Sequence, residues 1–133
     1  MTNIQNRSTI NENLATIDIK VPNSDKTINL EVANSLQERR TGLMNRESLE
    51  PDSGMLFVYN TSKIRAFWMY RTNFELDIIW IDENMEIVYI EKNAQPCYDS
   101  FCETYNPGIN STYVLEINGG LSNEYGIDVG DEV

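Results

Sequence analysis

The 133-residue sequence contains no histidine, only two cysteines and no apolar run long enough to span a bilayer. Without histidine, the chain lacks the commonest general base, metal ligand and pH switch of proteins. Catalysis of the Ser-His-Asp or Cys-His type is excluded. Any chemistry would fall to carboxylates, tyrosines, arginines, lysines or the cysteines. We expect neither a bound metal nor a cofactor.

Positive charge is also scarce, because 21 acidic residues outnumber 10 basic ones and give a net charge of −11. This balance disfavours binding to nucleic acid or to anionic lipid, which both reward positive charge. Solubility is the favoured explanation of the acidity, and a cation-attracting patch is the alternative. Near the carboxyl terminus, Glu124, Asp128, Asp131 and Glu132 form no EF-hand loop, so a solvated acidic tail is favoured over a calcium site.

Residues 1–13 are polar and lack the basic-then-apolar pattern of a signal peptide. We interpret them as a flexible leader that precedes a single β-barrel-like domain at residues 14–133. Two origins of the amino-terminal segment are compatible with this sequence. The protein is extracytoplasmic, in the cell envelope or secreted, if an export leader was removed, and it is cytoplasmic if Met1 is native.

Alternating apolar and polar residues predict a mostly β fold. Residues 17–21 and 28–32 alternate in this way on either side of a turn-forming segment, which indicates a β-hairpin. Further strands are predicted at residues 55–59, 65–70, 76–82, 86–92 and 112–118. Such a series of short strands, with one short helix, favours a small, largely antiparallel sheet that closes or nearly closes into a barrel.

The helix is predicted after the second strand. Ser35 is a favourable N-cap, and Glu38 stands three residues later, which is the spacing of a capping box. Leu36 and Leu43 would supply its buried stripe, and Pro51 limits its extent.

Asp77 is the most unusual residue of the strand pattern. It shares a strand face with Ile79 and Ile81, because side chains alternate with a period of two. A carboxylate on an apolar face is costly unless it is paired. We therefore predict an arginine partner for Asp77, with Arg39 and Arg46 as the candidates.

Five segments carry a resemblance to a known family. They are ERRTGLMNR at 38–46, GMLF at 54–57, FWM at 67–69, LDI at 76–78 and YVLE at 113–116. In this order and spacing they resemble the bacterial and archaeal Domain of Unknown Function 192 family, from about residue 32 to residue 133. The resemblance implies a compact, mostly β domain that often stands behind a signal peptide or lipid anchor, with no established activity. Relatives usually carry Lys-Asn where this chain has Tyr70-Arg71, so a ligand that touches this pair would differ here.

Two groups of residues are candidates for a ligand site. The first is polar and comprises Glu38, Arg39, Arg46, Arg71 and Asp77, which either grip a ligand or form internal salt bridges that pin the helix to the sheet. The second comprises the aromatic residues Phe67, Trp68, Tyr70 and Trp80, which either line a groove or fill the core. From the two groups together we predict a pocket built from Arg46, Trp68, Tyr70, Arg71 and Asp77, with Glu38 and Arg39 as a structural polar cluster.

Cys97 and Cys102 stand in a long irregular loop at residues 93–111. A structural disulfide is favoured, and a reduced pair is the alternative, since two thiolates without histidine make a poor zinc site. A disulfide would favour an oxidising compartment. The loop is a plausible lid beside the predicted pocket, because function often gathers on loops held by a rigid scaffold.

These observations favour a non-catalytic binding or accessory module of the cell envelope. Its partner would be a small molecule or envelope ligand, carbohydrate or anionic in character, and the domain itself would not span the membrane. The alternative is a small hydrolase or transferase that uses Asp77 and Glu38 as acid and base. The alternative requires both carboxylates in one cleft.

Overall fold

The computed structural model describes residues 14–133, so the predicted leader at residues 1–13 lies outside the described residues. The elements, in chain order, are β1 (Ala15–Lys20), β2 (Thr27–Ala33), α1 (Leu36–Thr41), β3 (Ser53–Ile64), β4 (Phe67–Trp68), β5 (Leu76–Ile81), β6 (Ile87–Ala94), β7 (Thr104–Tyr105), β8 (Asn110–Asn118) and α2 (Leu121–Glu124). The prediction of a mostly β fold is confirmed, with two short helices instead of one.

Six strands form one sheet in the order β1-β2-β3-β8-β5-β6, and β4 pairs with β7 in a separate two-stranded sheet. All neighbouring pairs are antiparallel except β2 and β3. The parallel pair arises because the chain crosses over through α1 between these two strands. Across residues 14–133 no sheet closes into a barrel, since β1 and β6 end the order without pairing to each other; the predicted closure is therefore not confirmed.

The sheet is buried on both faces. On one face the Ile79 core gathers Ile28, Leu30, Ile79 and Leu115 with their neighbours. On the other face the Trp80 core gathers Phe57, Ile78, Trp80 and Val114 with theirs. Every residue of β5 is buried, because this strand lies between two others and contributes alternately to each core. An apolar run without polar alternation is the expected sequence of such a strand.

The predicted helix is confirmed at its start. The Ser35 side chain accepts a hydrogen bond from the backbone N–H of Glu38, and the Glu38 carboxylate accepts in return from the backbone N–H of Ser35, at 3.1 Å each. The helix ends at Gly42, whose φ is +49°. A β-carbon at this position would lie 3.2 Å from the Phe57 ring, so glycine permits the turn after α1 to approach the sheet closely.

Some predicted strands differ in extent from the observed ones. β3 continues to Ile64, and the segment predicted as a strand at 65–70 contains only the two residues of β4. Within β3 the pairing with β8 is irregular between Val58 and Lys63 and resumes at Lys63 and Ile64. The long loop at 93–111 includes the short strand β7, which holds the loop against β4. No helix within residues 14–133 is long and apolar enough to cross a membrane.

Candidate functional site

Asp77 lies on the apolar face expected for it and is completely buried. Its Oδ1 accepts hydrogen bonds from the backbone N–H groups of Asn93 at 2.9 Å and Gly120 at 3.1 Å. Its Oδ2 accepts from the backbone N–H of Ser122 at 2.9 Å and from the Ser122 hydroxyl at 2.6 Å. The carboxylate thus serves as the amino-terminal cap of α2, in place of the glycine that occupies the N-cap position.

The predicted arginine partner of Asp77 is therefore wrong. The need for a partner was correct, but backbone N–H groups and one hydroxyl meet it. These donors belong to residues far away in the chain, so the strand pattern alone did not reveal them. Asp77 joins β5 to the end of β6 and to α2, and it has no exposed surface with which to meet a ligand.

The arginines proposed as partners are held elsewhere. Arg46 forms a bidentate ion pair with Glu31, with N–O distances of 2.5 and 3.0 Å. The Nη1 group of Arg39 donates to the backbone carbonyl oxygens of Asn34 at 2.8 Å and Val58 at 3.1 Å. The salt bridge that pins a loop to the sheet thus exists, but it joins Arg46 to Glu31.

Glu38 is occupied by its helix cap. The N–H groups of Asn34 and Ser35 both donate to its carboxylate, and these bonds are the main cause that lowers its pKa below the ordinary value. Because Asp77 is sealed against α2 and Glu38 caps α1, the structure does not bring these two carboxylates into one cleft. An acid–base pair made of Asp77 and Glu38 lacks the geometry that it requires.

A recess on the Trp80 face of the sheet is the candidate site, and we call it the Glu116 recess. It has a cavity volume of about 50 Å³. Residues 39–44, at the end of α1 and the turn after it, form one wall. Phe67, Trp68, Tyr70 and Thr72 contribute from β4 and the segment that follows, and Glu116 contributes from β8.

Glu116 is buried in a surrounding that does not suit an ionised carboxylate. Its neighbours in register are Met55 on β3 and Ile78 on β5. No hydrogen bond or ion pair of the described residues engages its carboxyl group, and its exposed fraction is 4%. Burial raises the pKa of the Glu116 carboxyl to about 8. At neutral pH the group is mostly a neutral acid, able to donate one hydrogen bond into the recess.

The aromatic residues divide between the rim of the recess and the core. Trp68 is 48% exposed, and its ring lies 5.0 Å from that of Tyr70. Trp80 is fully buried, and its indole N–H donates to the carbonyl oxygen of Arg65 at 2.7 Å. Phe67 packs edge-on against Phe57 and Trp80. For these aromatic residues the sequence left two alternatives, a position in the core or in a groove. Trp80 lies in the core, and Trp68 and Tyr70 line the recess.

Arg71 lies beside the recess and helps to fix its walls. Its Nε donates to the Asn45 side chain at 3.0 Å, and its backbone oxygen accepts from the Asn45 N–H at 2.8 Å. Both residues adopt positive φ values, +57° for Arg71 and +66° for Asn45. Because this conformation is costly for residues other than glycine, the two turns stabilise each other through these bonds.

The predicted disulfide is present and joins Cys97 to Cys102. The carbonyl oxygen of Cys97 accepts from the backbone N–H of Arg71 at 2.8 Å, and Tyr70 forms a bridge with Cys97. The disulfide loop therefore lies next to the Glu116 recess. Asp99 stands close to both sulfur atoms, and these three residues are the one metal-ligand type cluster within residues 14–133, but the disulfide occupies its thiols.

Of the predicted pocket residues, Trp68 and Tyr70 line the recess and Arg71 adjoins it. Asp77 belongs to the other face of the sheet, and Arg46 is held by Glu31. Glu116 was not among the predicted site residues. Its sequence signal was available, because Glu116 alternates with Val114 on a strand whose other face carries Leu115 and Ile117. It is the same signal that marked Asp77.

Comparison with known proteins gives a family without an assigned activity. The sequence model of DUF192, described as "Uncharacterized ACR", matches residues 18–133. A candidate transcription regulator from Sinorhizobium meliloti 1021 has a crystal structure with 30% identity and a TM-score of 0.81, with 90% of this chain and 92% of that chain covered. A protein of unknown function from Novosphingobium aromaticivorans DSM 12444 shows 33% identity and a TM-score of 0.80, with 90% and 84% covered. No curated protein matches the chain.

Proposed function

The chain belongs to the DUF192 family of uncharacterised proteins, and on that premise we propose that it is a non-catalytic binding module of the cell envelope whose ligand enters the Glu116 recess. The observation that carries the proposal is the Glu116 carboxyl group, buried at the recess without a partner among residues 14–133. Among residues 14–133 the fully buried side-chain nitrogen and oxygen atoms without a hydrogen bond are Ser111 Oγ and Thr112 Oγ1, so the Glu116 oxygens keep access to the recess and can form a hydrogen bond to a ligand there.

The energetics of Glu116 favour a role in binding over a role in stability. An unpaired carboxyl group between Met55 and Ile78 destabilises the fold relative to an apolar residue of similar size. The comparison with Asp77 shows that this fold is able to satisfy a buried carboxylate fully. Perturbed titratable groups in a recess are characteristic of functional sites.

The rim supports a ligand that has an apolar face. Trp68 is half exposed beside Tyr70, and flat aromatic side chains of this kind suit the stacking of a sugar ring or an apolar group. The recess is too small to enclose a whole sugar, so the ligand would lie across Trp68 and insert one substituent towards Glu116.

The envelope location is supported by the disulfide. Disulfides form and persist mainly in oxidising compartments. The Cys97–Cys102 bond stands beside the recess, where it holds the loop that contacts Tyr70 and Arg71. One structural neighbour is described as a candidate transcription regulator. We do not propose nucleic acid as the ligand of this chain, because a net charge of −11 opposes binding to phosphate backbones.

The proposal is tested by NMR titration of the ¹⁵N-labelled protein with oligosaccharides, peptidoglycan fragments and small carboxylates. We expect shifts of the Trp68 indole N–H and of the amides of residues 39–44 and 67–72. The variant Trp68→Ala should weaken binding roughly five-fold, since an aromatic stacking contact contributes on the order of 1 kcal/mol.

Phe101→Ala is the matched control, because Phe101 is an exposed aromatic residue that does not line the recess. It should leave binding unchanged. Ligand-induced shifts confined to the hairpin of β1 and β2, with none at Trp68 or in residues 39–44, would contradict the proposed site.

A further inference from the structure

Four arginines at or near the Glu116 recess form no salt bridge within residues 14–133. Arg39 and Arg40 line the recess, Arg65 shares the ring of Tyr59 with Arg39, and Arg71 lies over Tyr70. The ion pairs recorded within residues 14–133 are Lys20–Asp25 and Arg46–Glu31, and none involves these four arginines. The protein has 21 acidic residues with which to neutralise them. A local positive field in so acidic a chain points to an anionic partner.

Two of these guanidinium groups lie against the same aromatic ring. The guanidinium carbon of Arg39 lies 4.8 Å from the centroid of the Tyr59 ring, and that of Arg65 lies 3.7 Å from it. Burial is the main cause that lowers the pKa of Arg65, and the charge of Arg39 lowers it further. Repulsion between these like charges persists in the free protein, and a bound anion would relieve it.

Arg39 keeps donors for such an anion. Both of its recorded hydrogen bonds, to the carbonyl oxygens of Asn34 and Val58, leave from Nη1. A guanidinium group has five N–H donors in a fixed plane, so the Nη2 side remains for a ligand. The two backbone bonds fix the orientation of the group before the ligand arrives, which reduces the entropy lost on binding.

We infer that the ligand of the Glu116 recess is a carboxylate-bearing sugar, whose carboxylate accepts hydrogen bonds from Arg39 and from the Glu116 carboxyl group while its ring lies on Trp68. This inference rests on the proposed binding function and names the chemistry of its ligand. A carboxylate matches both donors, because it accepts two bonds from the planar guanidinium and one from a neutral acid.

Because Glu116 is protonated at neutral pH, the binding that we infer should depend on pH. The charged and titratable groups in the walls of the recess are Arg39 and Arg40 from α1 and Tyr70 after β4, and Tyr59 on β3 interacts electrostatically with Glu116. Burial places the pKa of Glu116 at about 8 and raises that of Tyr59 above its ordinary value of 10.0. Between pH 6 and 9, approximately, Glu116 is therefore the group whose charge changes. An anion should bind well below pH 8 and poorly above it, when Glu116 becomes negative.

The experiment is calorimetric titration of the full chain with glucuronate, glucose and glucosamine, which share a ring and differ in charge. We expect glucuronate to bind roughly ten-fold more tightly than glucose, which is the value of one charged hydrogen bond, and glucosamine to bind most weakly. Arg39→Gln should reduce glucuronate binding to that of glucose. Lys20→Gln, which removes a positive charge from β1, is the control and should leave the preference intact.

The pH dependence provides the second readout. Glucuronate affinity should fall as the pH rises through 8 in the wild type and stay flat in Glu116→Gln. Equal binding of glucose and glucuronate, or a preference for glucosamine, overturns the inference and leaves the proposed binding function standing. Binding of glucuronate outside the recess, with no shift of the Trp68 indole signal, overturns the inference as well. Failure of the proposed function itself would show as no ligand of the NMR panel reaching the recess.

Discussion

Two buried carboxyl groups stand one register position apart on opposite faces of the same sheet, and their surroundings differ completely. Asp77 on β5 pairs with Ile117 on β8, and the next pair in the ladder is Ile78 with Glu116. Asp77 has four donors, and Glu116 has none among the described residues.

The contrast indicates how an acid with a structural role can be distinguished from an acid that binds a ligand. Asp77 meets backbone N–H groups at the start of α2, and its burial is compensated within the fold. Glu116 has no hydrogen bond from the fold and borders a recess with polar and apolar walls, so its hydrogen bonds are left to solvent or a ligand in that recess. Burial alone does not identify either role. The number of hydrogen bonds that the carboxyl group receives from the fold distinguishes the structural acid from the binding one.

The largest expected effect comes from Asp77→Asn. The amide retains one acceptor oxygen but turns an N–H₂ group towards two of the four donors. Removing one partner from a buried charged network costs about 3–5 kcal/mol of unfolding free energy. Urea denaturation measures this loss. Asp82→Asn is the control, because Oδ1 of Asp82 alone accepts the Asn84 and Glu86 N–H groups and an amide oxygen can replace it. A loss below 1 kcal/mol for Asp77→Asn, measured against this control, would undermine its structural role.

The second effect has the opposite sign, and it comes from Glu116→Gln. The pKa of Glu116 is about 8 in the folded state against 4.5 for an ordinary glutamate, so the folded protein binds more protons between these values. Stability of the wild type should therefore fall as the pH rises from 4.5 to 8. The glutamine variant lacks this loss and should be more stable above pH 8 by a few kcal/mol, to order of magnitude.

Denaturation midpoints at several pH values between 5 and 9, approximately, measure this window. Glu103→Gln, at an exposed position, is the control and should follow the wild type. If Glu116→Gln and the wild type lose stability in parallel over this pH range, the Glu116 carboxyl group is not held neutral, and the proposed difference from Asp77 is wrong.

The third effect concerns the disulfide loop. Replacing both Cys97 and Cys102 by serine should reduce the unfolding free energy by about 2 kcal/mol, which is the chain-entropy value for so short a loop. NMR signals of Tyr70 and Arg71 should shift, because Cys97 bonds to this segment, while those of Ser122 beside Asp77 should not. Shifts of equal size at both carboxyl sites would show that the loop supports the whole sheet and not the recess.

The smallest effect on stability is expected for Trp68→Ala. Since Trp68 is half exposed, its truncation should cost less than about 1 kcal/mol of unfolding free energy although it weakens ligand binding. Trp80→Ala, at a fully buried ring that also donates a hydrogen bond, should cost about 3–5 kcal/mol. Thermal melting of the two variants compares the rim with the core, and a large loss for Trp68→Ala would assign its ring to the core.

Much of the fold followed from periodicity and local signals. Residues 76–82 correspond to β5, the capping box of Ser35 and Glu38 starts α1, and the two cysteines are bonded. The pattern did not show whether the sheet closes, because closure depends on which strands end the order, and alternation along a strand carries no information about its neighbours.

The candidate site was harder to predict for the same reason. Trp68 and Tyr70 were predicted because aromatic side chains suit the lining of a groove and because they stand in or next to a segment that resembles the family. Asp77 was assigned to the pocket and Glu116 was not, although both are single acids on apolar faces. Only spatial proximity distinguishes them, since the donors that satisfy Asp77 come from residues 16 to 45 positions further along the chain.

The sequence by itself determined the mostly β class, the helix cap, the favoured disulfide and the apolar surroundings of Asp77, because each depends on residues close together in the chain. The tertiary structure decided what the two buried acids, Asp77 and Glu116, do. It placed the start of α2 over Asp77 and a recess over Glu116, and the free energy of a buried carboxyl group depends on the donors around it and not on the strand that carries it.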